Sequence, residues 1–154
     1  GSKSDWPSLK GCVDVLKKFE IEVEVHVASA HRTPDTVAAF ASNARENGFE
    51  VIIAAAGKAA HLAGVIAGHT TLPVIGIPVK SSFMDGLDSL LSTVQMPTGI
   101  PVATVAVGGG DNAAYLAVQM LSIKYPILAE KLLAHREQMA AAIESDDKQI
   151  QDEV

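Results

Sequence analysis

An α/β domain on a parallel sheet is what this 154-residue sequence predicts, and three observations carry the prediction. Two continuous apolar runs, Val51-Ile52-Ile53-Ala54-Ala55 and Leu72-Pro73-Val74-Ile75-Gly76-Ile77, have the composition of strands covered on both faces. Helix-periodic sequence separates the strand-like runs, as crossover connections between parallel strands require. Polar or small-residue loops, Ser29 to Asp35 and Ala56 to His61, follow strand-like segments, which is where open α/β sheets bind ligands.

Taken in order, Gly1-Ser2-Lys3-Ser4-Asp5 is a small-residue loop that leads into a helix with Trp6 and Pro7 in its first turn. Leu9, Cys12, Val13 and Leu16 form that helix's inner stripe. The loop can offer hydroxyls and backbone N–H groups to an anion, or Asp5 can act simply as a helix cap. Glu22 to Val27 alternates polar and apolar residues and predicts a strand with one covered face. Thr33 is placed to cap a helix that opens on Pro34 and Asp35 and buries Val37, Phe40, Ala41 and Ala44, with Gly48 near its end. Leu62 to His69 is helical, Pro78 closes the second apolar strand, and Leu87, Leu90, Leu91 and Val94 are spaced for another helix. Val102 to Val107 predicts a fourth strand. Gly108-Gly109-Gly110-Asp111 turns into a helix carrying Ala113, Leu116, Ala117 and Met120 on one face. Residues 126–154 read as a C-terminal helix with an acidic tail, its stripe of Leu128, Leu132, His135, Met139 and Ile143 suited to a subunit contact or to packing on its own sheet. The sum is one domain over 1–154: a flavodoxin-like three-layer α/β/α sandwich with a parallel sheet and an extra C-terminal helix.

Composition narrows the function classes. A formal charge of -6 supplies no basic face for a nucleic-acid backbone. A mean hydropathy of +0.24 and 48% hydrophobic residues suit a packed core. The single Cys12 excludes an internal disulfide and a multi-cysteine metal site, and the histidine spacing offers no metal motif. No apolar run of membrane-spanning length and no leader-like stretch occurs, so a cytoplasmic protein is expected.

His31 and Arg32 are the chemical focus, a proton-transfer group beside an anion-binding group where a strand gives way to a helix. A triad of Ser29, His31 and Asp35 is not supported, since triads are assembled in space and no nucleophile-elbow motif is present. Gly57-Lys58 is not a phosphate-binding Walker loop: Ile52 and Ala59 occupy its required Gly and Ser/Thr positions.

Gly1-Ser2-Lys3-Ser4-Asp5, Ser29-Ala30-His31-Arg32-Thr33-Pro34-Asp35, Ala59-Ala60-His61-Leu62, Leu72-Pro73-Val74-Ile75-Gly76, Gly86-Leu87-Asp88-Ser89-Leu90-Leu91-Ser92 and Val94-Gln95-Met96-Pro97 together resemble the N5-carboxyaminoimidazole ribonucleotide mutases of purine biosynthesis. The resemblance runs in order from Gly1 to about Lys131. It implies a homo-octamer that works without metal or organic cofactor on an aminoimidazole ribonucleotide. It also implies an apolar strand before Gly1. His31 would be the catalytic acid and base. Arg32, Ser2 and Ser4 would hold the phosphate, with Ser29 supporting that end. Asp5 would accept from the ribose hydroxyls, and Ala55, Ala56 and Gly57 would wall a pocket that retains carbon dioxide. His61 and Leu62 would complete the substrate contacts, His61 as a support rather than a direct proton donor. Lys58 stands where glycine is frequent in the family, Ala63 where proline is common, and Gly108 to Asp111 where an Asn/Ala-containing loop is usual. The competing readings are a carboxylase that uses free carbon dioxide with the unmodified aminoimidazole ribonucleotide, and a non-catalytic ribonucleotide-binding module.

Overall fold

The computed structural model describes residues 1–153, which divide into two compact units, Gly1–Ala117 and a second from Val118 onward. In the first, a 3-10 turn at Lys3–Asp5 leads into α1 (Trp6–Lys18), followed by α2 (Pro34–Asn43), β1 (Ile52–Gly57), α3 (Leu62–His69) and β2 (Val74–Val79). A second 3-10 turn at Met84–Gly86, α4 (Leu87–Val94), β3 (Ala103–Thr104) and the start of α5 (Gly110–Ser122) complete it. The second unit holds the end of α5 and the 27-residue α6 (Pro126–Asp152). No helix among the described residues is long and apolar enough to cross a membrane.

The sheet is open and parallel, in the order β1-β2-β3, and the fold is flavodoxin-like α/β. β2 is its centre: all six of its residues are buried, and its register runs from Ile52 opposite Val74 to Gly57 opposite Val79. Pro78 does not close this strand as expected but lies inside it, opposite Ala56, where its missing N–H removes one donor. α3 packs on β1 and β2, α2 packs on α3, and α4 packs on β2. Val37, Ala41, Ile52, Ala54, Ile66 and Val74 belong to the core between α2, α3 and the sheet.

Three sequence expectations are corrected. Glu22 to Val27 is not a strand: no strand lies beside it among the described residues, and without ladder partners its alternation buries nothing, leaving Val25 50% and Val27 68% exposed. The stretch Val102 to Val107 is a strand only at Ala103 and Thr104, and with Glu22 to Val27 outside the ladder the sheet has three strands among the described residues, not four. The acidic end after Ile143 continues as helix to Asp152, its exposed face carrying the charge into solvent.

α4 forms where its leucine spacing predicts a helix, but it buries its small hydroxyl residues rather than most of its large apolar ones. Leu87, Leu91 and Val94 are more than 40% exposed, whereas Ser89 and Thr93 are buried at 0% and 2%. The hydroxyls make this possible by donating to backbone carbonyls, Ser89 Oγ lying 2.9 Å from Val79 O and 2.8 Å from Gly86 O, and Thr93 Oγ1 2.7 Å from Ser89 O. The small face lets α4 lie close on the sheet at Gly76, where a Cβ would overlap Thr93 Cγ2 and stand 3.0 Å from Val102 Cγ1. Gly76→Ala is therefore expected to cost about 1–3 kcal/mol as overpacking, read as a lowered urea midpoint; an unchanged midpoint refutes the close contact.

Candidate active site

Three loops meet at the carboxyl ends of β1 and β2. The first is Gly1 to Asp5. Ser2 caps the 3-10 turn, its Oγ accepting from Ser4 N at 3.4 Å and from Ser4 Oγ at 3.0 Å, while Asp5 N donates to Ser2 O at 3.0 Å. Gly1 N donates to Ala55 O at 2.8 Å and ties this loop to β1, leaving Asp5 8% exposed beneath it.

Ser29 to Thr33 is the second loop, and it is closed by its own hydroxyls. Ser29 O accepts from Thr33 N at 2.8 Å and from Thr33 Oγ1 at 3.1 Å; Thr33 Oγ1 in turn accepts from Ser29 N at 2.9 Å. Thr33 does stand at the N-cap of α2, yet its side chain makes no cap bond there, because the loop has already engaged it. Ser29 Oγ accepts from Arg32 N at 3.2 Å and from Arg32 Nε at 3.4 Å, and Arg32 Nη2 reaches Gly1 O at 3.1 Å. The guanidinium thus bridges the first two loops. The third loop, after β1, brings His61 to His31: His31 Nε2 and His61 Nδ1 are 2.9 Å apart, with the rings edge-on at 87°.

Between the loops lies a cavity of about 640 Å³, within the range of small-molecule sites. Ser2, Ser4, Asp5, Ser29, His31, Arg32, Ala56, Gly57, His61 and Leu62 all line it. Ala55 does not; it is buried directly behind this wall, where it anchors Gly1. The lining also contains Lys58, Lys80 and Ser81. Nothing in the residues around Lys80 and Ser81 marks them as part of a site. Their signal was position alone, immediately beyond the strand that proves central. Lys80 pairs with Asp85 at 3.0 Å, and Lys58 makes no ion pair among the described residues. Of the charged side chains on the wall, Arg32, Lys58 and Lys80 are cationic and Asp5 alone is anionic, so an acidic chain presents a locally positive recess suited to an anion. Cys12 is excluded as a nucleophile. It lies 2% exposed in α1, and burial, reinforced by the nearby Asp111 charge, pushes its thiol up to about 11.

An imidazole and a guanidinium on one loop, set in a cation-rich recess at the strand ends of an open parallel sheet, define an α/β protein built to act on a small anionic metabolite. The AIR carboxylase family model matches residues 1–142, and the chain belongs to that family. It is 58% identical over 139 residues to the N5-carboxyaminoimidazole ribonucleotide mutase of Pyrococcus abyssi, covering 90% of this chain and 80% of that protein. Against the Thermotoga maritima protein of the same name the identity is 54% over 139 residues, covering 90% and 81%. A chloroplastic phosphoribosylaminoimidazole carboxylase of Vigna aconitifolia is 49% identical over 149 residues, 96% of this chain but 27% of that one. The crystal structure of Treponema denticola PurE superposes with a TM-score of 0.86 at 28% identity, covering 97% of this chain and 93% of that one.

Proposed function

We propose that this chain is an N5-carboxyaminoimidazole ribonucleotide mutase, an isomerase of purine biosynthesis that moves a carboxyl group from the exocyclic nitrogen to the ring carbon. The relatives bearing that name support it across nine-tenths of the chain. The observation that carries the assignment of roles is the placing of His31 and Arg32 on one loop of one cavity with Ser2, Ser4 and Asp5.

The chemistry needs one proton in and one proton out. As the bond between nitrogen and carboxyl carbon breaks, its electron pair stays on nitrogen, which takes a proton from His31, and carbon dioxide is released. The electron-rich ring carbon attacks carbon dioxide, and the hydrogen on that carbon returns to His31. A single imidazole serves as acid and then as base. Arg32 holds the phosphate by charge-assisted bonds, with Ser2, Ser4 and Ser29 adding donors, and Asp5 accepts from the ribose hydroxyls. Ala56, Gly57 and Leu62, with Ala55 behind them, keep the released carbon dioxide beside the ring, so that recapture proceeds at high effective concentration. No step draws on a metal or organic cofactor.

The decisive assay supplies either the carbamate substrate or the unmodified ribonucleotide with bicarbonate. Product from the carbamate without a bicarbonate requirement is the expected result. Product only with bicarbonate would make the chain a carboxylase, and tight binding without turnover a non-catalytic module. A homo-oligomer, taken as an octamer, belongs to the same reading: Phe83, Met84, Leu87 and Leu91 are each exposed, and so are Leu133, Met139 and Ile143 along α6. Native mass spectrometry tests the number of copies. A cytoplasmic location, where soluble nucleotide precursors are made, completes it and is tested by fractionation.

A further inference from the structure

His61 is fixed at the start of α3 by two backbone hydrogen bonds. It stands at the N-cap of α3, its N–H donating to Ala59 O at 2.9 Å and its carbonyl accepting from Val65 N at 2.9 Å. From that helix start its ring reaches the His31 loop, where Nδ1 of His61 meets Nε2 of His31 at 2.9 Å. A hydrogen bond between two imidazole nitrogens uses one N–H and one lone pair. A nitrogen so engaged has neither left for a substrate. Nδ1 of His31 makes no hydrogen bond among the described residues, and its ring lines the cavity.

Resting on the mutase reading, we infer that His61 is a positioning residue: it holds Nε2 of His31, and so assigns the substrate proton transfers to Nδ1 of His31. The proton inventory closes. In the acid form His31 carries hydrogen on both nitrogens, donating Nε2–H to His61 Nδ1, while the hydrogen of the neutral His61 ring resides on its own Nε2. The Nδ1 hydrogen of His31 passes to the nitrogen that loses carbon dioxide, leaving a neutral ring with a lone pair at Nδ1. That lone pair later takes the hydrogen from the ring carbon and restores the first form. The bridge between the two histidines is the same before and after, so His31 need not release its partner between the two transfers. Arg32, Lys58, Lys80 and Asp5 share the cavity, but none of them hydrogen-bonds His31.

The test compares wild type, His61→Leu and His61→Asn on the carbamate substrate. His61→Leu fills the space without an acceptor, and kcat is expected to fall by roughly 10- to 100-fold with KM within about threefold, since His31 keeps its chemistry and loses its aim. His61→Asn sets an amide where Nδ1 stood, and its oxygen can accept from His31 Nε2–H; kcat should recover to within roughly fivefold of wild type. Unchanged kcat in His61→Leu, or no recovery in His61→Asn, overturns the inference, and a packing role would favour leucine over asparagine. Nitrogen-15 spectra of the wild-type histidines give a second readout that survives any folding failure of the variants. Hydrogen on His31 Nε2 with coupling to His61 Nδ1 is expected, and a bare Nε2 overturns the assignment. A wild-type protein that never turns over the carbamate would sink the mutase reading instead, while the spectra still report the bridge.

Discussion

Replacing His31 with asparagine should leave ribonucleotide binding within a few-fold of wild type and abolish measurable isomerisation, a loss on the order of 10³-fold or more. Asparagine preserves a polar side chain of similar reach at the cavity wall but can neither give up nor accept a proton near neutral pH. A positioned acid-base group contributes about 10²- to 10⁴-fold per transfer, and here one ring serves two transfers, which places the loss at the upper end. Isothermal titration with the product, alongside single-turnover assays, separates the two effects. Turnover within about tenfold of wild type would remove His31 from the chemistry, and lost binding would make it a recognition residue.

Arg32→Ala is expected to act on the other quantity. Hydrogen bonds from a charged donor are worth about 1.5–3 kcal/mol each, so truncating a two-pronged phosphate contact should weaken ribonucleotide binding by about 10²-fold or more. The guanidinium also bridges Ser29 Oγ and Gly1 O, and part of the loss will come from loosening those loops. Arg32→Lys distinguishes the contributions. It keeps the charge and loses the planar fork, so intermediate affinity is expected if both geometry and charge matter. Affinity unchanged in Arg32→Ala would assign the phosphate to another cation on the wall.

How far these residues were legible beforehand depended on whether the signal was local. The runs through Ile52 and Val74 announced themselves because a doubly covered parallel strand is apolar at every position, and the structure places β1 and β2 there. Glu22 to Val27 carried an equally clear alternation and formed no strand, since pairing is a property of the neighbour and no neighbour lies alongside among the described residues. α4 is a different case: the helix forms as its spacing predicts. Its leucines obeyed the helical period, but Ser89 and Thr93 face inward because backbone carbonyls satisfy their hydroxyls, an arrangement that hydropathy cannot register. His31 and Arg32 could be read from residue type and loop position. Their proximity to His61, thirty residues onward, and to Lys80 required the fold, as only the β1-β2 adjacency gathers those loops.

Lys58 is one of four non-glycine residues with positive φ among the described residues, at 57°, and it forms one corner of the recess. A backbone of that shape admits glycine with less conformational strain, tolerates asparagine, and turns away valine or isoleucine. The ammonium group is consequently an accessory that the turn does not need. Descendants of this sequence can add or shed a positive charge at the rim through a single codon while the polypeptide path stays put, so ligand preference at this corner can drift on its own, uncoupled from the architecture beneath.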